Sequence, residues 1–273
     1  MLNNDNVPGG LKALSVTLLR LAIEEPRVLL VLDHLAKKDG RDAPWKLLYD
    51  DFEDLGFRDS IKNFLAHDVS SFDWSVLEQS YINWGRFGWI TDHQLLKIGS
   101  WDHCPDSQVE ADKKILKEID KKFLAEIQAQ SIEKTRNIPV FEECCKCFEN
   151  KCYTACASLL ISLIDGELIR GNANSVSNRK TGATAGRRII SDVSTDDMYG
   201  LPGLLHLELI NYEAFINMLF EHANGFEIEP KRMNRNFMHH GMSKRKVLRK
   251  DCIKLFMGYH KTLFFMWDKS PAR

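Results

Sequence analysis

The chain has 273 residues, 44% hydrophobic and 27% charged, with a net charge of -1. This composition excludes collagen-like, disordered and disulfide-scaffold classes, and leaves one large or two small globular domains. The near-neutral sum hides an asymmetry. Residues 229–273 hold twelve Lys or Arg against Glu229, Asp251 and Asp268, a balance of +9 that leaves -10 on the rest. Such a segment reads either as a surface facing a polyanion or as a basic helix lying on the protein's own acidic face.

No run of about 18 uninterrupted apolar residues exists, so no transmembrane helix and no membrane partner are expected. The opening MLNNDNVPGG lacks the basic and apolar regions of a secretory leader, so a cytoplasmic location is expected. Five of the seven Cys fall between Cys144 and Cys156. In a reducing compartment they are thiols.

In chain order, the first ten residues read as a tail. Leu11, Leu14, Leu18, Leu19 and Ala22 give a helical period over 11–24. Pro26 opens a second helix, Arg27 to Lys38. Shorter helical pieces follow near 44–55, 58–67 and 72–84. The segment from Trp84 to Trp101, with Gly85, Gly88 and Gly99, fits either a hairpin or a turn between helices, and its tryptophans read as core. Residues 1–103 are thus expected to form an N-terminal helical subdomain, and 104–273 a second domain.

Asp106 to Ile132 is amphipathic and predicts one long helix. Pro139 opens the strongest pattern, Val140 to Arg170, striped by Val140, Cys144, Phe148, Cys152, Ala155, Leu159 and Leu163. Residues 171–202 form a polar insertion containing Arg187 and Arg188, a length that is usually functional or disordered. Helices are then expected over Leu204 to His222, from Pro230 to a stop at Gly241, and over Ser243 to Trp267. Strand-type alternation is scarce. The chain therefore reads as all-α, with an antiparallel helical bundle in its second half.

The Cys cluster does not read as zinc. A structural site needs four ligands converging on a tetrahedron. Here Cys145, Cys152 and Cys156 share one face of an expected continuous helix, and pack as small apolar groups. No phosphate-binding loop and no dinucleotide glycine fingerprint occurs, so neither metal nor cofactor is implied.

The chemistry concentrates in MNRNFMHHGMS, residues 233–243. Asn236 and His240 are four apart and share a helix face; Arg235 pairs in the same way with His239. A guanidinium grips phosphate bidentately and stays charged. An imidazole titrates near neutral pH and moves protons. Together they are the minimum equipment for cutting a phosphodiester. Arg27 with His34, Arg86 with His93 and Arg232 with His239 share the bare Arg-x4-6-His spacing. Only Arg235 is followed by Asn and lies before a helix stop in basic surroundings.

This segment resembles the signature of the HEPN superfamily of helical ribonucleases, Arg-x4-6-His with a polar residue after the Arg. Arg235, Asn236, His240 and Gly241 match it, and residues 152–170 resemble the family's long preceding helix. The resemblance covers about residues 110–273 and implies a HEPN-like bundle. It implies a metal-independent endoribonuclease working as a homodimer, with two motifs facing each other. One His takes the ribose 2'-OH proton, the oxygen attacks phosphorus, and Arg stabilises the charge, leaving a 2',3'-cyclic phosphate. In that scheme His240 is the acid/base, Arg235 the phosphate clamp and Asn236 an orienter, with His239 as the alternative to His240. Asp165 and Glu167 lie on the helix expected to face them. RNA is the implied partner, with an antitoxin or regulatory protein beside it, as in toxins and phage-defence effectors.

Lys231, Arg232, Lys244, Arg245, Lys246, Arg249 and Lys250 flank the motif as an approach for RNA, joined by Arg187 and Arg188 of the insertion. Each is equally an ordinary solvated charge. Two competing functions remain. One is a non-catalytic HEPN-like module that binds RNA, a nucleotide or a protein. The other is an all-α DNA-binding regulator, disfavoured because the first half is acidic.

Overall fold

A computed structural model describes residues 74–91, 101, 103–171, 184 and 202–266. Among these, every regular element is helical and none is a strand. The α-helices are α1 (Trp74–Arg86), α2 (Gln108–Leu116), α3 (Lys121–Lys134), α4 (Ile138–Glu149), α5 (Tyr153–Gly171), α6 (Pro202–Leu219), α7 (Arg235–His239) and α8 (Arg249–Met266). The chain is therefore all-α. The helices expected at 11–24, 27–38, 44–55 and 58–67 lie outside the described residues. So does the insertion at 171–202 with Arg187 and Arg188, apart from positions 171, 184 and 202. The chain divides into two units: 1–76 with 196–207, and 77–195 with 208–273. The second unit contains the whole of the 233–243 motif.

Helix α8 is the axis of this second unit. Cys252, Ile253, Leu255, Phe256, Met257, Tyr259 and Leu263 are all buried, so the helix is apolar around most of its circumference. A helix of that kind belongs inside. It packs most extensively on α5 and also on α3, while α5 packs on α4. Phe256 meets Phe141 edge-on at 5.9 Å and Phe148 at 5.5 Å. Gly258 admits the Phe215 ring, because a Cβ there would stand 2.4 Å from Phe215 Cζ. The polar groups along this helix find partners, as burial requires. Tyr212 meets Thr262 at 2.8 Å, Tyr259 meets Thr135, and Lys261 Nζ donates to Glu208 at 2.7 Å.

Two expected long helices are each broken in two. Asp120 splits the first: its backbone is extended and its carboxylate accepts the Phe123 N–H at 2.7 Å, starting α3 afresh. Lys151 splits the second. Its φ is +60°, Cys152 N–H reaches back to the Cys147 carbonyl at 2.8 Å, and Lys151 N–H reaches Phe148 at 3.0 Å. This pair of bonds is the Schellman ending of a helix. The break resets the helical phase, so the expected stripe fails at Cys152 and Ala155, although Leu163 is buried as expected. Cys152 and Ala155 are exposed, while Cys156, Ala157, Leu160, Ile161 and Ile164 are buried. Cys145 therefore does not share one face of a continuous helix with Cys152 and Cys156, contrary to expectation. Among the described residues, however, no three His, Cys, Asp or Glu side chains are grouped as metal ligands would be. All seven Cys are thiols.

The segment after Trp84 is a turn and not a hairpin within the described residues. Helix α1 ends with Gly88 at φ +81°, with Trp89 N–H on the Trp84 carbonyl at 2.9 Å. Asn211 of α6 then clasps the segment: Nδ2 donates to the carbonyls of Tyr81 at 2.9 Å and Trp89 at 3.0 Å, and Oδ1 accepts Thr91 N–H at 2.9 Å. Trp84, Trp89 and Trp101 are fully buried, in agreement with their reading as core. No helix of the described residues is long and apolar enough to cross a membrane.

Candidate functional site

The motif helix is shorter than expected. A helix from Pro230 was expected, but α7 covers only Arg235–His239. Asn234 sets its start, with extended backbone and a side-chain oxygen accepting Phe237 N–H at 3.1 Å. Asn234 Nδ2 is anchored to the Glu221 carbonyl at 2.9 Å. The stop at Gly241 is as expected: its φ is +68°, and Met242 N–H bonds the Phe237 carbonyl at 2.9 Å. Caps at both ends hold one and a half turns of helix whose own propagation is too short to be stable.

This short helix presents two faces. On one, Arg235 Nη2 donates to Asp165 Oδ2 of α5 at 3.0 Å. Arg235 Nη1 reaches Asn236 Oδ1 at 3.3 Å, and its Nε is enclosed with no partner. The Arg235 side chain keeps 29% exposure, so the guanidinium is held at a surface and not sealed in. His239 lies on the same side. Its Nε2 is 3.4 Å from the Ser158 carbonyl and 3.5 Å from Ser162 Oγ, both on α5. A bond to that carbonyl requires the tautomer with hydrogen on Nε2. Partial burial pulls the His239 pKa below its ordinary value, and the nearby Arg235 charge adds to this. The neutral form is thereby favoured.

On the other face, Asn236 Nδ2 donates to the Glu221 carbonyl at 3.1 Å. His240 caps the helix, is exposed, and stands edge-on to the Phe226 ring at 5.3 Å. The four-residue spacing thus sorts the motif as the sequence indicated, Arg235 with His239 and Asn236 with His240. Of the two acids expected from the facing helix, Asp165 reaches Arg235. Glu167 instead pairs with Arg170 at 2.6 Å.

The basic flank divides sharply. Lys231, Lys244 and Lys246 are exposed. Arg232 Nη1 donates to the Arg86 carbonyl at 2.8 Å. Arg245 pairs with Asp251 at 2.9 Å. Lys250 pairs with Asp112 at 2.6 Å, and Arg249 lies 5.4 Å from the Phe148 ring centre. The basic segment therefore serves the protein's own acids in part, while three lysines face outward. A helix was expected to begin at Ser243, but α8 begins at Arg249. Residues 243–245 instead wrap the Glu229 carboxylate, which accepts Ser243 Oγ–H, Lys244 N–H at 2.8 Å and Arg245 N–H at 3.3 Å. Burial works to raise the Glu229 pKa, but these donors outweigh it and the net shift is downward.

Sequence reasoning missed Glu229, Asp112 and Asp251 as organisers of the basic segment. An acid directly before Pro-Lys-Arg was the only available hint of the first. Asn234, three positions before Phe237, carried an N-cap signature. In comparisons with protein-family models, curated proteins and solved structures, nothing matches this chain.

Proposed function

We propose that the second unit is a metal-independent endoribonuclease of HEPN type, with Arg235, Asn236 and His240 as its working residues. The observation that carries this reading is a guanidinium braced at the surface by Asp165, one helical turn from His239 and with His240 on the adjoining face of the same short helix. Asp165 fixes the direction of Arg235 without burying it, which suits a phosphate clamp. Both imidazoles are exposed, but only the His239 ring is engaged with α5, so His240 is the better placed to meet a ribose 2'-OH. His239 is held against Ser158 and is the reserve candidate. In the reaction, His240 accepts the 2'-OH proton as the oxygen attacks phosphorus. Arg235 takes up the developing charge, and a proton passes to the departing 5'-oxygen. A second copy of the motif, in a homodimer, provides the complementary acid. Lys231, Lys244 and Lys246 draw in the RNA backbone. An intracellular toxin or defence effector restrained by a partner protein fits this chemistry.

The second reading is a binding module without cleavage. It is favoured by the extent to which Arg235 is already engaged, with both Nη atoms bonded inside the protein.

The test is RNA cleavage by the folded protein in EDTA. Loss of one acid/base typically costs about 10²–10⁴-fold, and loss of one charge stabiliser about 10²–10³-fold. The expected result is cleavage that survives EDTA, leaves a cyclic phosphate end, and falls by those factors in His240→Ala and Arg235→Ala. If only His239→Ala abolishes cleavage, the acid/base role moves to that residue. A folded, wild-type dimer that cuts no RNA pool leaves the binding-module reading.

A further inference from the structure

A second cluster of charge lies beside the motif. Asp112 of α2 sits between two lysines of α8: Lys254 Nζ is 2.6 Å from Oδ1 and Lys250 Nζ 2.6 Å from Oδ2. Asp112 also accepts Trp89 Nε1–H at 3.0 Å and Gln108 Nε2–H at 2.9 Å. It is thus saturated with donors, and it neutralises only one of the two lysines. Lys254 is almost fully buried, donates to the Phe87 carbonyl at 2.8 Å and lies 4.7 Å from the Trp89 ring centre.

Asp112, Gln108, Lys250 and Lys254 line a cavity of about 60 Å³, as do Lys231, Arg232 and Arg245. One water needs roughly 10–15 Å³ of such space, so the cavity takes a group of several heavy atoms. Five cations and the two acids Asp112 and Asp251 line it, an excess of three positive charges. Arg245 spends Nη2 on Asp251, and its Nη1 is enclosed without a partner. Lys250 keeps 32% of its side chain exposed, with two ammonium hydrogens beyond the one given to Asp112. Five cations against two acids, and an enclosed guanidinium nitrogen without a partner, suit the cleft to an anion.

We propose that this cavity binds a phosphate group, held by Lys250, Lys231, Arg232 and Arg245. Asp112 and Lys254 form the rigid floor that positions Lys250. The cavity wall and the motif share one stretch of chain: Arg232 precedes Arg235 by three residues, which places the two backbones within about 11 Å. A phosphate of the same RNA strand bound there would fix its register on Arg235. This placement rests on the ribonuclease reading, whereas the phosphate site itself does not.

The test is calorimetric titration of the full chain with inorganic phosphate at constant ionic strength, with chloride as the control. Saturable phosphate binding is expected, weakened at least tenfold in Lys250→Gln and Lys231→Gln. Lys231 is exposed, so its variant keeps the fold. Lys122→Gln, at an exposed lysine of α3 outside the cavity, should bind phosphate as wild type does. Absence of saturable binding, or binding as tight as wild type in both Gln variants, overturns the site. Short oligoribonucleotides then identify the source. Competition with phosphate assigns the site to the RNA strand. Phosphate binding without competition assigns it to a free phosphate or nucleotide and overturns only the register role.

Discussion

Asp112 and Asp165 use the same chemistry to different ends. Both are carboxylates on helices that hold cations from the basic C-terminal segment. Asp112 is enclosed, takes four donors and ties α2 to α8 through a lysine that is itself buried. Asp165 holds an arginine that stays partly at the surface. The first arrangement builds the fold, and the second aims a side chain outward. An ion pair's role is thus set by what surrounds it, because desolvation decides how much of the charge remains for anything else.

Removing each carboxylate should separate the two roles. Asp112→Ala leaves Lys254 buried and unpaired, and should cost about 3–5 kcal/mol of stability, readable by urea unfolding. A loss below about 1 kcal/mol would show the cluster to be solvated, contrary to its burial. The same aspartate predicts a pH dependence. Burial alone would raise its pKa, but Lys254, Lys250 and Gln108 outweigh this and the net shift is downward. A depressed folded pKa contributes stability that is present above the ordinary carboxylate value of about 3.9 and lost as pH falls through the folded value. Wild-type stability should therefore drop through that acid window, and Asp112→Asn should flatten the drop.

Asp165→Asn should do the reverse. The Arg235 pair is partly exposed, so its loss should cost only about 1 kcal/mol. Any cleavage should fall further in proportion, about 10- to 100-fold, because the guanidinium loses its direction. Unchanged cleavage with a large stability loss would make Asp165 a structural residue like Asp112.

The smallest effect is at a helix end. Gly241 and Lys151 occupy the same left-handed position in two Schellman endings. The glycine adopts it freely, whereas a residue with a Cβ is strained there by about 1–2 kcal/mol. Lys151→Gly should raise stability by up to about 1 kcal/mol, after the added freedom of the unfolded chain is deducted. A lower melting temperature would mean that the Lys151 side chain contributes more than its backbone costs.

That pair of helix ends also shows what the sequence could reveal. The stop at Gly241 was legible because glycine marks the left-handed position. The stop at Lys151 was not, since the apolar stripe ran straight through it, and Cys152 and Ala155 just after the break were assigned to the wrong face. The all-α class and the apolar α8 followed from periodicity, which is a local property. So did the sorting of Arg235 with His239 and of Asn236 with His240, because four residues make about one helical turn. What depended on distant chain segments could only come from tertiary structure. The seat of Lys250 and Lys254 on Asp112 joins positions 138 and 142 residues apart, and the grip of Asp165 on Arg235 spans 70. Sequence counts the charges of the basic segment. Which of them remain available to a ligand is decided by the acids that folding brings beside them.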